Sequence, residues 1–582
     1  MAELIIILTI LIPWFGGLVV WAVGDQHPNL QHRLAAGFSV LGGIISLFLL
    51  MYIQDVPVVR VDIGGVFGSF TLVPDGLGVY LAIIAAVIGS LAVIFSNNYM
   101  KGEAQLGRYY SLMLLFIGAM VGLVLSGSLL FMFVFWEITA FCSYALISFH
   151  NDDPKAVYGG IKALIMTQIG GVGLLLGALA AYAYLGSYQI NDFIANTAEF
   201  PTGVLAVIAF GFLVAAAAKS AQVPFHTWLP DAMEAPTPIS ALIHAATMVN
   251  AGVYLLARFF PAFEPVSGWT IAVMTVGLLS ALMAAILAAG TYDLKRTLAY
   301  STISQLGYMV YAIGVSGIYA SQFHLLSHSV FKALLFLGAG AVIHAVGTRN
   351  MREMGALGKS MRFVAIVFVI GTLALAGLPV TNGFFSKELV LEAGLNHGAA
   401  WAYAGMLIGV AITGYYSIRM VRLVFFNPAN SSKQPHPTGL AMRISLAVLA
   451  VGTLLTWLLA GPFSRMLAGS LPYHRLEPES TLDVVLEVLT NPTTWITVLV
   501  VLFGISLWFL RGRLAGLIHA LQPLNRLTNQ DFGFEWLNRQ IIRITNRVAT
   551  TLRKTQTGQL NWNVFGIVGA LVILLILIVW IG

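Results

Sequence analysis

Apolar residues along this chain come in runs of about 20, the length needed to cross a hydrocarbon layer roughly 30 Å thick, and short polar, glycine- or proline-bearing joints separate them. The runs predict helices at 2–23, 34–53, 75–97, 108–126, 127–149, 160–185, 203–231 (interrupted), 239–260, 269–289, 296–316, 320–346, 362–397 (interrupted), 400–425, 441–461, 493–511 and 562–581. That makes about sixteen spans, with glycine-rich stretches such as GGVGLLLGALAA allowing close helix packing. The apolar/polar alternation of a half-buried strand is absent, so helices rather than a β-barrel are expected. One further stretch, DFGFEWLNRQIIRITNRVATTLRK, repeats Arg539, Arg543 and Arg547 every four residues against Trp536, Ile541, Ile542 and Val548. This predicts an amphipathic helix lying on the cytoplasmic face or along a partner.

Composition agrees. Of 582 residues 58% are hydrophobic and 9% charged, far from the ~25% charged of a soluble domain. The expected fold class is an all-α polytopic membrane protein. The net charge of +6 does not indicate nucleic acid, because the basic residues are dispersed over short loops. Of the 30 Lys and Arg, only Arg60, Arg258, Arg465 and Arg475 fall in loops after even-numbered spans, and Lys219, Lys332 and Lys387 fall inside spans. The remainder, Arg419 and Arg422 at a helix end among them, follow odd-numbered spans. The positive-inside rule then puts the odd loops in the cytoplasm and both termini on the outer, periplasmic side of a cell inner membrane. The opening MAELIIILTI carries Glu3 where a signal peptide has basic residues, so the first helix is expected to be retained. The single cysteine, Cys142, excludes internal disulfides and multi-cysteine iron–sulfur or zinc sites, and no cofactor or metal is expected.

The polar residues inside the spans are the candidates for chemistry. A lysine at mid-membrane costs roughly 2.5–3.5 kcal/mol on insertion scales, so three of them require a reason. Glu137 in LLFMFVFWEITAFCSYAL needs a cation or a proton, and Lys219 is its candidate partner. Their separation would act as a switch on the lysine's proton, against the alternative of a static ion pair. His324, His328 and Lys332 are spaced four apart, which forms one stripe with about 6 Å per step. Such a stripe suits a proton relay. A metal site from the histidine pair lacks a completing carboxylate or thiol. His244 is a further intramembrane histidine. Lys219 lies in AAAAKSAQVPFHTWLPDAMEAPTP and Lys387 in LALAGLPVTNGFFSKELVLEAG, both of which read as a half-helix, a break and a resumed half-helix. Pro224 and Pro379 mark the two breaks, and unwound backbone at mid-depth marks ion paths.

At these residues the chain resembles the antiporter-like membrane subunits shared by respiratory complex I, membrane-bound hydrogenases and Mrp cation/proton antiporters. The motifs FWEITAFCSYALI, AKSAQVPFHTWLPDAMEAPTPISALIHAATMVNAGVYLLAR, DLKRTLAYSTISQLGYM, FHLLSHSVFKALLFLGAG and LPVTNGFFSKE carry the resemblance over 60–425. QTGQLNWNVFGIVGALVILL looks like the end of the largest complex I antiporter-like subunit. The resemblance implies two inverted five-helix repeats, each with a discontinuous helix, at 108–260 and 269–425. N-terminal helices occupy 1–107, and helices with the amphipathic lateral segment occupy 426–582. By position it implies Glu137 as the regulatory glutamate, Lys219 as the first channel lysine and His244 as the neighbouring relay histidine. His324, His328 and Lys332 match the central axis, and Lys387 the outward end. Gly170 and Gly171 stand where many complex I members carry an acid, and with AMEAPTP and STISQLG they look more like the large Mrp subunit. The lateral segment is short for complex I, and the long C-terminal extension of the Mrp subunit is lacking.

The leading expectation is a non-redox, proton-translocating subunit of a complex-I-like oxidoreductase, working with other membrane subunits in the lipid bilayer. The alternative is a subunit of an Mrp-type sodium/proton antiporter with no redox partner. A quinone- or haem-binding redox subunit is the third reading.

Overall fold

The structure is a computed structural model and describes residues 1–428, 436–513 and 531–555. Two compact units divide at Gly516.

The first unit begins with α1 (Ala2–Val23), α2 (Pro28–Phe48), α3 (Gly76–Tyr99), α4 (Leu106–Leu125), α5 (Leu129–Ile147) and α6 (Pro154–Leu185). A short α7 (Ile190–Ala195) precedes α8 (Thr202–Lys219), α9 (Trp228–Asp231), α10 (Thr237–Ala241) and α11 (Met248–Arg258). Then come α12 (Phe260–Phe263), α13 (Trp269–Gly290), α14 (Leu294–Gly314), α15 (Ile318–Val346), α16 (Leu357–Ser360), α17 (Arg362–Ala376), α18 (Asn382–His397) and α19 (Ala400–Val421). After these come α20 (Leu440–Leu455), α21 (Ala460–Ser470), α22 (Thr481–Thr490) and α23 (Pro492–Leu510). The second unit contains α24 (Phe534–Thr555).

Among the described residues thirteen helices are long and apolar enough to cross a membrane. This is a multi-pass, predominantly helical membrane protein. The centre is α10–α11, whose Thr237–Arg258 stretch is wholly buried, while only seven of the 22 residues of Ala2–Val23 are buried. α14 is too polar to count among the thirteen, because Ser301, Thr302, Ser304 and Gln305 are all buried along it.

Two starts differ from expectation. α2 begins at Pro28 and α6 at Pro154, each several residues before the apolar run. Both use proline in the first turn, where its missing N–H is no loss. Two polar residues in the early turns of α2 are contacted by other helices: the Gln31 side-chain amide donates to Val20 O at 3.3 Å, and His32 Nδ1 lies 2.6 Å from Tyr110 Oη. A two-stranded antiparallel hairpin, β1 (Val59–Asp62) with β2 (Ser69–Leu72), also departs from the all-helix expectation. It joins α2 to α3, and the run between them is too short for its alternation to register as strand. The expected helix at 562–581 lies outside the described residues.

At the same end of the bundle as the hairpin, Asp75 caps α3 by accepting from Gly78 N at 2.9 Å. Its carboxylate also takes both guanidinium arms of buried Arg258, with Nη2 to Oδ1 at 2.8 Å. Arg258, assigned to a loop by sequence, is thus the buried last turn of α11. Arg419 is buried too. It donates to the carbonyls of Ala288 at 2.7 Å and Thr291 at 2.6 Å, capping the C-terminal end of α13, where unpaired carbonyls favour a cation.

Candidate functional site

Lys219 is the last residue of α8 and completely buried. Beyond it the chain unwinds over 220–227 before α9. Ala221 takes a left-handed φ of 50°. The freed backbone is satisfied locally, as mid-membrane backbone must be: Gln222 N donates to Ala217 O at 2.7 Å and Val223 N to Ser280 Oγ at 3.0 Å. Pro224 lies in this gap and Pro230 inside α9; Pro236 immediately precedes α10, and Pro238 sits in its first turn.

Lys219 Nζ donates to Trp136 O at 2.8 Å and sits 4.8 Å from the Trp136 ring centroid. Glu137 is the next residue of α5, but no ion pair joins it to Lys219 among the described residues. Its Oε2 instead accepts from Gln168 Nε2 on α6, and its Oε1 has no hydrogen-bond partner. The two groups remain in electrostatic contact. The structure therefore holds the separated form of the expected pair, with the lysine docked one residue short of the acid. A Cβ on Gly171 would lie 2.4 Å from Glu137 Oε1, so the glycine provides the space in which this carboxylate sits.

The segment after α9 is clamped by ion pairs. Asp231 accepts from Lys162 Nζ at 2.7 Å and lies 3.5 Å from Arg296 Nη2. Arg349 bridges Glu234 at 3.0 Å and Asp293 at 3.2 Å. The Arg349 loop lies outside the spans. Burial works against its charge, yet the Glu234 hydrogen bond and the Asp293 carboxylate hold its guanidinium above its ordinary pKa.

His244 lies in a π-helical turn, Leu242–Ala246, between α10 and α11. Such turns carry an irregular ladder and favour functional positions. Its ring stacks on Phe336 with centroids 4.9 Å apart, and neither nitrogen has a hydrogen-bond partner. It is in electrostatic reach of Lys332. No hydrogen bond joins it to Lys219 among the described residues.

The predicted stripe on α15 is present. The rings of His324 and His328 are 6.5 Å apart, and all three groups are buried. Lys332 Nζ donates to Ser301 Oγ at 2.7 Å. His324 Nε2 faces Gln305 Oε1 at 3.1 Å, and its Nδ1 lies 3.0 Å from Ser386 Oγ, which itself donates to Asn382 O at 2.9 Å. These surroundings satisfy both ring states. The neutral ring takes the Ser386 hydrogen on Nδ1, and the protonated ring donates to Ser386 while that hydrogen stays on the Asn382 carbonyl. His328 has no hydrogen-bond partner and is in electrostatic reach of Lys332, His324 and His244.

The second break separates α17 from α18 over 377–381. Gly377, at φ 78°, and Val380, at φ 74°, turn the chain. Leu378 N donates back to Leu373 O at 3.0 Å. Lys387 Nζ reaches Ala376 O at 3.5 Å, the last residue of the preceding half-helix, and lies 5.2 Å from the Tyr308 ring centroid. Glu388 beside it is also buried and faces Thr497 on α23.

Sequence reasoning missed Gln168, Ser301, Gln305, Ser386, Tyr308 and Glu388. Ser301 and Gln305 share a helix face at i,i+4, a signal present in STISQLG, and the buried Lys–Glu pair was visible in FFSKELVLEAG. Among the described residues no group of His, Cys, Asp and Glu could hold a metal ion.

Two family descriptions match this chain. "NADH:quinone oxidoreductase/Mrp antiporter, TM" covers residues 126–413 and "NADH-Ubiquinone oxidoreductase (complex I), chain 5 N-terminus" covers 61–110. A Na(+)/H(+) antiporter subunit A1 from Staphylococcus haemolyticus is 38% identical over 413 residues, 66% of this chain and 51% of that protein. The same subunit of Staphylococcus aureus strain Newman is 39% identical over 412 residues, again 66% and 51%. The chain thus spans about half the length of the curated relatives it matches. Among solved structures, the Mrp complex from Dietzia sp. DQ12-45-1b superposes with a TM-score of 0.83 at 28% identity, covering 99% of this chain and 63% of that one. The membrane-bound sulfane sulfur reductase, an archaeal respiratory membrane complex, superposes with a TM-score of 0.72 at 25% identity, covering 83% and 99%.

Proposed function

We propose a function from the premise that this chain belongs to the family of antiporter-like membrane subunits shared by NADH:quinone oxidoreductases and Mrp antiporters: it translocates protons through a buried file of Lys, His and Glu as one subunit of a membrane complex. Lys219 takes the proton from the cytoplasm, with Glu137 setting its tendency to hold it. His244, then Lys332, His328 and His324, carry the proton across the bundle, and Lys387 releases it outward. Water bridges the step from Lys219 to His244. The observation that supports this reading is the succession of buried titratable groups from Lys332 on Ser301, past His328, to His324 between Gln305 and Ser386, with Lys387 at the second break. No fold requirement explains three lysines, Lys219, Lys332 and Lys387, buried inside the spans with no ion pair among the described residues.

The driving reaction is sodium/proton exchange in an Mrp-type assembly. This reading is supported by the Na(+)/H(+) antiporter relatives and by Gly171 beside Glu137. The redox-driven reading, a subunit of a complex-I-like oxidoreductase, is supported by the likeness to the respiratory reductase. Everted membrane vesicles separate them. Proton movement driven by an imposed sodium gradient, without an electron donor, supports exchange; strict dependence on a donor supports the redox form. Loss of either flux in Lys219→Met ties it to this file, and unchanged flux in both Lys219→Met and Lys387→Met sinks the proposal.

The finer architecture belongs to the same reading. There are about sixteen spans, with both termini on the outer side of the inner membrane. The domains are 1–107, two five-helix repeats at 108–260 and 269–425, and 426–582. Each break falls in the fourth helix of its five, α8–α9 and α17–α18. Five crossings are an odd number, so the second set starts on the opposite face, which makes the repeats inverted. α24 is an amphipathic lateral helix.

A further inference from the structure

Beside the hairpin end of the bundle lies a cavity of about 680 Å³, unconnected with the lysine file in its chemistry. Its size falls within the roughly 300–1,000 Å³ of specific small-molecule sites. Its walls are apolar, with Leu47, Leu50 and Met51 on one side and Leu326 and Phe463 on the other. Leu47, Leu50 and Met51 are 47%, 49% and 70% exposed, so the cavity opens on the outer surface of the helix bundle. Its rim carries two opposite charges, Arg465 and Asp55, with Gln54 beside them. Both charged side chains are exposed and neither has a hydrogen-bond or ion-pair partner among the described residues. Two other arginines at this end are engaged, Arg258 with Asp75 and Arg60 with Ser69 at 3.1 Å.

We infer that this cavity binds a glycerophospholipid with an ammonium headgroup, a phosphatidylethanolamine, as an annular structural lipid. The apolar cleft takes an acyl chain. At the rim the Arg465 guanidinium pairs with the phosphate and the Asp55 carboxylate with the ammonium, so one zwitterion complements both charges. A purely anionic lipid would satisfy Arg465 and leave its headgroup against Asp55. The lipid also covers Tyr80, whose hydroxyl donates to Gln322 Oε1 at 2.5 Å. Gln322 is on α15, half a turn before His324, so the bound chain seals the polar axis from the side.

The test is lipid mass spectrometry on the full-length chain purified with its co-purifying membrane subunits. A Cβ on Gly469, which lines the cavity, meets nothing within 4 Å, so a side chain can start there without displacing its neighbours, and Gly469→Trp places bulk at the mouth. Gly469→Trp and Arg465→Gln are expected to lower bound phosphatidylethanolamine by about tenfold, since burial of many methylenes and one phosphate contact are lost. Asp55→Asn is expected to retain a lipid but lose the preference for phosphatidylethanolamine over phosphatidylglycerol. Wild-type lipid content in both Gly469→Trp and Arg465→Gln overturns the site, and an unchanged preference in Asp55→Asn overturns the headgroup assignment. A photo-crosslinking residue at Leu50 is expected to label lipid; capture of a protein subunit there instead overturns the proposal.

Discussion

The two broken helices solve one problem in opposite chain orders. In the first, Lys219 ends the leading half-helix and its break follows. In the second, the break comes first and Lys387 lies in the trailing half-helix. Yet both ammonium groups are held by backbone carbonyls and an aromatic face: Trp136 O and its indole for Lys219, Ala376 O and the Tyr308 ring for Lys387. A carbonyl can accept from a cation without being a counter-charge, so each lysine is held in place and still able to lose its proton. The difference lies in the acids. Glu137 sits on a separate helix and is held by Gln168, whereas Glu388 is covalently next to Lys387 and directed to Thr497 on another helix. Neighbours in a helix do not face one another. The first site is therefore adjustable by moving one helix or one side chain, and the second has its acid fixed.

The largest effects should come from the lysines themselves. Lys219→Met and Lys387→Met are each expected to reduce ion flux in vesicles by roughly 10²-fold, the scale of losing a positioned proton carrier. Arginine at either position keeps the charge but never releases it, and should be as inactive as methionine; an active Lys387→Arg would break the symmetry between the breaks. The acids should sharpen the difference. Glu137→Gln is expected to lower flux about three- to tenfold and Glu388→Gln less than about threefold, since only the former can change its distance from its lysine.

A smaller effect should follow from Gly171→Ala, whose Cβ would meet Glu137 Oε1 at 2.4 Å. Flux should fall roughly two- to fivefold from this overpacking. Shortening the acid in a Gly171→Ala, Glu137→Asp double variant should recover part of it, which a mere folding defect would not. The smallest effect on flux is expected from Asp231→Asn at the clamp behind the first break. There the readout is thermal stability, with about 1–3 kcal/mol lost as the carboxylate that accepts from buried Lys162 becomes a neutral amide. The second break has no ion pair among the described residues, so this sensitivity should be confined to the first.

Much of this was legible without coordinates. The run 2–23 is the helix Ala2–Val23, and the spacing of His324, His328 and Lys332 gives the stripe seen on α15. Both follow from properties of a single segment. The start of α2 was misjudged because Gln31 and His32 read as loop residues, whereas contacts from α1 and α4 make their burial tolerable; that of α6 was misjudged because its first turn, capped by Asp153 and carrying Lys155, reads as loop. Glu137 and Lys219 were recognised individually, but their separation and the role of Gln168 as the acid's partner were not.

The sequence by itself determined the multi-pass helical class, most of the apolar helices, the two breaks and that Glu137, Lys219, Lys332 and Lys387 interrupt apolar runs. Hydrocarbon excludes unpaired polar groups, so every span must be continuous in apolar residues and every exception must stand out. Only the tertiary structure decided what each exception touches. The partner of a buried ammonium or imidazole comes from whichever helix lies alongside: Trp136 for Lys219, Ser301 for Lys332, Gln305 and Ser386 for His324. That adjacency is fixed by packing among segments far apart in the chain, and so Lys219 before its break and Lys387 after its own arrive at equivalent settings.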